Sequence, residues 1–102
     1  ADVLEQHLAD PDFSLGVMAE QLGYSLSYLS TLFKKTFGEN FRDYLLNLRL
    51  ERAKILLLST EMKNYEISAA VGIEDPNYFS VCFRRKYQKT PKEFRMEAGH
   101  GR

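Results

Sequence analysis

The sequence predicts an all-α fold: two helix-turn-helix subdomains joined by a long central helix, about seven helices in all. Apolar residues recur at three- and four-residue spacing along the whole chain, and strict alternation never persists. Helix start and stop signals cut the chain into seven segments. The second half also repeats the first at an offset of 49 to 50 residues.

Val3, Leu4, His7 and Leu8 share one side of a first helix that stops before Pro11. Ser14 is placed to cap a second helix running to about Leu22, where Gly23 supplies the turn. Ser25 caps a third, with Leu29, Leu32 and Phe33 on its inner face and Gly38 at its end. The longest helix starts at Asn40 and runs to about Leu58. A fifth begins at Asn64 and breaks at Gly72. Asp75-Pro76 starts the sixth, an acidic cap followed by proline at the first helical position. Thr90-Pro91-Lys92-Glu93 combines the same proline placement with a capping box and opens the seventh.

The repeat pairs Val17–Gly23 with Glu66–Gly72 at offset 49, and Tyr28–Lys35 with Tyr78–Arg85 at offset 50. One residue is inserted in the second turn. A helix-turn-helix needs a small residue at the helix crossing, a glycine in the left-handed turn and apolar residues flanking both. Met18, Ala19, Leu22, Gly23, Tyr24, Leu29 and Leu32 fill those places in the first copy. Ile67, Ser68, Val71, Gly72, Ile73, Phe79 and Cys82 fill them in the second. Each copy ends its second helix in a basic pair.

The charges cancel overall, 14 Lys and Arg against 14 Asp and Glu, but not locally. Residues 1–25 carry five acids and no Lys or Arg, whereas Phe83–Arg95 holds six basic residues and one acid. A nucleic-acid binder meets phosphate with one face, so distribution outweighs the total. Apolar residues make up 44% of the chain, a folding composition that excludes a disordered tail or a fibre. One cysteine excludes a disulfide scaffold or a cysteine-based zinc module and fits a reducing compartment. No apolar stretch is long enough for a membrane span. The chain opens on Ala1 without an initiator Met and is expected to be part of a longer protein.

The central helix carries two apolar strips. Phe41, Tyr44, Leu45, Leu48, Ile55 and Leu56 form one, and Leu46, Leu50, Ala53 and Leu57 the other, with Arg42 and Arg49 between them. Such a helix packs on two sides and predicts a rigid connector. The boundaries follow: a first helix-turn-helix subdomain over 1–39, the connecting helix over 40–58, a second subdomain over 59–97 and a tail over 98–102.

This arrangement resembles the DNA-binding domain of AraC/XylS transcription regulators over about residues 1–97. The resemblance rests on Tyr28-Leu-Ser-x-Leu-Phe-Lys-Lys-x-Phe-Gly38, on Tyr44-Leu-x-x-x-Arg49-Leu-x-x-Ala53-x-x-Leu-Leu57, and most specifically on Gly72-Ile-x-Asp75-Pro-x-Tyr78-Phe-Ser-x-x-Phe83-Arg-Arg followed by Thr90-Pro91-x-Glu-Phe-Arg95. Three positions depart from the pattern: Ser68 for the common Ala, Ile73 for an aromatic, and Gln88 for Gly. The resemblance implies sequence-specific binding of double-stranded DNA, with the third and sixth helices in successive major grooves. Ser27, Ser30 and Thr31 then face bases from the third helix, and Asn77, Ser80 and Val81 from the sixth. Lys34, Lys35, Arg84 and Arg85 lie further along, where phosphate contact is expected; the competing reading is that they only solvate helix ends. The resemblance also implies a bacterial, cytoplasmic regulator with an N-terminal sensor or dimerisation domain and RNA polymerase as a further partner.

Other chemistry is sparse. His7 and His100 are isolated and read as surface or packing residues, and Cys82 as a buried small hydrophobe. Met18, Met62 and Met96 read as packing or surface residues. No nucleophile–base spacing or glycine-rich phosphate loop occurs. The expectation is therefore a non-enzyme without cofactor, metal or small-molecule site. A helical protein-interaction module that keeps the fold without specific DNA binding is the alternative, supported by the zero net charge and the acidic first 25 residues.

Overall fold

A computed structural model describes residues 2–100, with the backbone alone for Asp2, Val3, Glu5 and His100. The readings made for the Val3 and His100 side chains fall outside the described residues. Seven helices follow in order: α1 (Asp2–His7), α2 (Leu15–Leu22), α3 (Leu26–Phe37), α4 (Phe41–Ser59), α5 (Asn64–Ala70), α6 (Pro76–Tyr87) and α7 (Pro91–His100). Helix α7 thus continues into the stretch that the sequence assigned to a tail. No helix among the described residues is long and apolar enough to cross a membrane.

The caps form as the residue types dictate. Ser14 Oγ accepts from the Val17 N–H at 3.2 Å, Ser25 Oγ from the Tyr28 N–H at 3.1 Å, and Asn40 Oδ1 from the Asp43 N–H at 2.9 Å. Asp75 Oδ1 accepts from the Asn77 N–H at 2.9 Å. At α7 the capping box closes both ways: the Thr90 N–H donates to Glu93 Oε1 at 2.9 Å, and the Glu93 N–H to Thr90 Oγ1 at 3.1 Å. Helix α5 adds a contact that the sequence did not announce, the Lys63 N–H donating to Glu66 Oε1 at 2.8 Å.

Two hydrophobic cores lie along α4. The first gathers Leu4, Leu8, Phe13, Met18, Ala19, Leu29 and Phe33 around Phe41 and Leu45. The second gathers Ile67, Val71, Ile73, Phe79, Cys82 and Phe83 around Leu50, Ala53 and Leu57. Leu45 and Leu50 are five residues apart, about 140° around the helix at 3.6 residues per turn, so the cores sit on different sides of it. The radius of gyration, 15.1 Å, exceeds the roughly 13 Å of a compact domain of this size, and the longest dimension is 48 Å. The molecule is two lobes on one rod.

The packing corrects the sequence reading at three apolar positions. Ile55 is exposed and Leu56 packs on the second core, although both were placed on the first strip. A helical wheel discards distance along the axis. Ile55 shares the direction of Leu48 but lies about 10 Å further along, where it borders an open recess beside Leu8. Leu32, predicted to face inward, is exposed.

Two arginines tie the lobes to the rod. Arg49 on α4 donates through Nε to the Leu8 carbonyl at 2.9 Å and through Nη2 to the Asp10 carbonyl at 2.7 Å. Burial lowers its pKa and the nearby Asp10 charge opposes that effect. Arg95 on α7 donates to the carbonyls of Leu57, Thr60 and Met62 at 2.8 to 3.0 Å. Both guanidinium groups thereby satisfy carbonyls at and beyond a helix C-terminus, which the helix itself leaves without partners.

Gly72 sits where the second turn meets the first lobe. Its φ is +85°, and a Cβ there would lie 2.6 Å from the Leu8 carbonyl oxygen and 3.0 Å from Arg49 Nε. Gln88 adopts the same left-handed region at φ 65° without being glycine, closing α6 through its N–H to the Arg84 carbonyl at 2.7 Å. Gly72→Ala is expected to cost at least about 2 kcal/mol, from left-handed strain plus the backbone clash. Gln88→Gly removes strain of about 1–2 kcal/mol against a smaller entropic penalty, so it is expected to gain about 0.5–1 kcal/mol. Urea titration of both variants checks the two signs. By the same measurement Leu50→Asp, at a fully buried site, is expected to cost more than about 3 kcal/mol, and Ile55→Asp less than about 0.5 kcal/mol.

Candidate nucleic-acid interface

Helices α3 and α6 are held in the same way. Leu29 and Phe33 anchor α3 in the first core, and Phe79 and Phe83 anchor α6 in the second. Three- and four-residue spacing then puts Ser27, Ser30, Thr31 and Lys34 on a different face of α3, and Asn77, Ser80, Val81 and Arg84 on the matching face of α6. Ser27, Ser30, Thr31, Asn77 and Val81 are exposed, and Ser80 is half-buried. The Thr31 hydroxyl donates to the Ser27 carbonyl at 3.1 Å, which leaves its oxygen as an acceptor toward solvent. Ser80 is engaged differently: Asn64 Nδ2 donates to its Oγ at 3.2 Å, tying α6 to the start of α5. The sequence carried no sign of this, because the repeat puts Leu15 opposite Asn64 in the first lobe.

The basic residues divide into two groups. Lys86 donates to Asn47 Oδ1 at 3.3 Å and lies 3.9 Å from Glu51; Lys89 pairs with Glu97 at 2.8 Å; Arg95 clamps the end of α4. These three of the six in the 83–95 run serve the fold. Lys34, Lys35, Arg84 and Arg85 are exposed and have no carboxylate partner within salt-bridge distance among the described residues. Glu93 remains close enough to Arg84 for its carboxyl to feel that charge, although the Thr90 N–H is the larger cause of its lowered pKa.

A cleft of about 750 Å³ separates the two lobes on the side of α3 and α6. Ser30 of α3, the α6 cap Asp75 and Tyr78 of α6 line it, with Arg42 and Arg49 on the α4 floor. Arg42 is exposed there, and its charge acts on the Tyr78 hydroxyl, whose pKa is raised chiefly by the Cys82 thiol with Arg42 opposing. The sequence reading used Arg42 only to separate the apolar strips. Its position between α3 and α6 depends on how the lobes meet, which periodicity does not report. No group of three or more His, Cys, Asp or Glu that could hold a metal occurs among the described residues. His7 stacks on Phe13 with ring centroids 4.8 Å apart, and Cys82 is buried; both pack.

Residues 18–97 match the helix-turn-helix domain family. A Chromobacterium violaceum transcriptional regulator described as AraC-type and DNA-binding is 32% identical, with a TM-score of 0.86 over 95% of this chain and 86% of that one. This chain belongs to the AraC-type helix-turn-helix family. The C-terminal domain of the two-component response regulator yesN from Fusobacterium nucleatum is 52% identical, with a TM-score of 0.88 over 92% of this chain and 91% of that one. Among curated proteins, the HTH-type transcriptional regulator YijO of Escherichia coli is 40% identical over 80 residues, covering 78% of this chain. The chain spans 28% of that regulator's length. As an AraC-type domain it departs from the expected glycine at Gln88, and the left-handed turn forms there regardless.

The Asn64–Ser80 tie gives a local test. Asn64→Ala is expected to lower stability by about 0.5–1.5 kcal/mol in a urea melt, the usual net worth of one hydrogen bond.

Proposed function

We propose that the chain binds double-stranded DNA sequence-specifically as the output domain of a longer bacterial transcription regulator in the cytoplasm, acting by binding and not by catalysis. One observation carries the reading: two equivalent helices present small polar faces flanked by exposed cations and are fixed on one rod. Successive major-groove segments on one side of a duplex recur about every 34 Å, and the 48 Å body is long enough to reach both. Ser27, Ser30 and Thr31 then meet base edges from α3. Asn77, Ser80 and Val81 do so from α6, Ser80 with its hydroxyl already oriented by Asn64. Lys34, Lys35, Arg84 and Arg85 meet phosphates, and Arg42 meets the backbone crossing between the two grooves.

Asn77 is the one candidate reader whose side chain can pair bidentately, its amide matching adenine. The other readers are short, so shape and thymine-methyl contacts from Val81 carry much of the discrimination. The likeness to a response regulator's C-terminal domain favours a regulator of that type as the longer protein. A sensor or dimerisation domain and RNA polymerase are its further partners.

Two measurements test these roles. Arg84→Ala with Arg85→Ala, and separately Arg42→Ala, should weaken binding to every sequence and reduce the slope of log K against log salt by about one per lost contact. An unchanged slope makes those residues solvated surface. Selection from a random duplex library at fixed salt should enrich a site whose preference at one or two positions relaxes in Asn77→Ala, by about 1–3 kcal/mol. A library that never enriches contradicts specific binding and leaves the protein-interaction reading.

A further inference from the structure

The two lobes are built on one plan, yet the same positions are buried in one and bare in the other. Val71, Ile73 and Cys82 of the second lobe are 0%, 5% and 3% exposed. Their repeat partners Leu22, Tyr24 and Leu32 are 48%, 52% and 41% exposed. The glycine turns differ likewise: a Cβ on Gly72 would collide with the first lobe, while a Cβ on Gly23 meets nothing within 4 Å. Tyr28 extends the bare strip, its ring 5.4 Å from that of Tyr24.

The cover on the second lobe is the N-terminal half of α4. Leu46 and Leu50 pack in the core that holds Val71, Ile73 and Cys82. The repeat extends to this helix: at offset 49, Ala53 and Leu57 of α4 correspond to Leu4 and Leu8 of α1, all four buried. Helix α1 is therefore the counterpart of the C-terminal half of α4. At the same offset Leu50 falls on Ala1, and the counterpart of Leu46 falls four positions before it.

We propose that the strip Leu22–Tyr24–Tyr28–Leu32 seats an amphipathic helix that leads into α1 in the longer regulator, with an aliphatic side chain about one turn before Ala1 in the role of Leu46. This rests on the chain being part of a longer regulator and is independent of DNA recognition. The seat is the counterpart of an interface already present in the second lobe, and its apolar character matches that of the α4 face it would receive. The entering helix couples the upstream domain directly to α3, since Tyr28 and Leu32 belong to the reading helix itself. Displacement of that helix would uncover the apolar strip beside α3.

Amide hydrogen exchange over Leu22–Leu32 tests the seat, in the full-length regulator and in this 102-residue chain. Exchange at least tenfold slower in the full-length protein, independent of its concentration, is the expected result. In addition, Tyr24→Ser should lower the melting temperature of the full-length protein and leave that of the 102-residue chain unchanged. Equal exchange in the two proteins overturns the proposal. Protection that grows with concentration also overturns it, by assigning the strip to a second copy. A DNA-binding failure would appear in neither readout, so the two readings fail separately.

Discussion

Burial of α4 on two sides is the constraint from which the rest of the molecule follows. Phe41 and Leu45 commit one stretch of the helix to the first core, and Leu50, Ala53 and Leu57 commit the next to the second. Each buried aliphatic or aromatic side chain is worth about 1.5–3 kcal/mol, so neither lobe can leave the rod without losing several of them. The relative position of α3 and α6 is then a property of one helix, not of a linker. The contact of Gly72 with Leu8 and Arg49 removes the remaining freedom, because the second turn is seated directly on the end of α1.

The same helix plays two parts in the repeat. Seen from the first lobe, α4 is the helix that follows the helix-turn-helix; seen from the second, it is the helix that precedes it. Arg49 and Arg95 express this doubling. Each reaches from the following helix to the carbonyls that end the preceding one, Leu8 and Asp10 in one case and Leu57, Thr60 and Met62 in the other. The two arginines do not occupy matched positions. Arg95 corresponds to Leu45, one turn before Arg49, so the same contact is reached from different places on the two helices.

Features governed by neighbouring residues were legible in the sequence. Ser14, Ser25, Asn40, Asp75 and Thr90 cap the helices they were expected to cap, and the glycine turns fall where the repeat put them. Features governed by how lobes meet were not legible. Ile55 and Leu48 look alike on a wheel, and only their places along the helix axis separate them. Arg42 and Arg49 read as polar breaks between strips, whereas both line the cleft between α3 and α6 and Arg49 also clamps the end of α1. At the candidate site the residues named on α3 and α6 came from the family resemblance, and helical spacing keeps them off the core-facing sides of those helices. The Asn64 contact that orients Ser80 was not legible, since it joins residues 16 apart through the crossing of two helices.

The proposed readers α3 and α6, carried on one rigid rod, demand a fixed distance between the two half-sites. The most direct test is binding to a selected site and to versions with two, five or ten base pairs inserted between its halves, at constant salt. The account requires every insertion to drop affinity to the level of random duplex. Ten base pairs should not restore it, because the added turn of about 34 Å carries the second groove beyond the reach of a 48 Å body. Affinity that survives the insertions, as two independently tethered lobes would allow, would contradict the shared helix as the element that sets recognition.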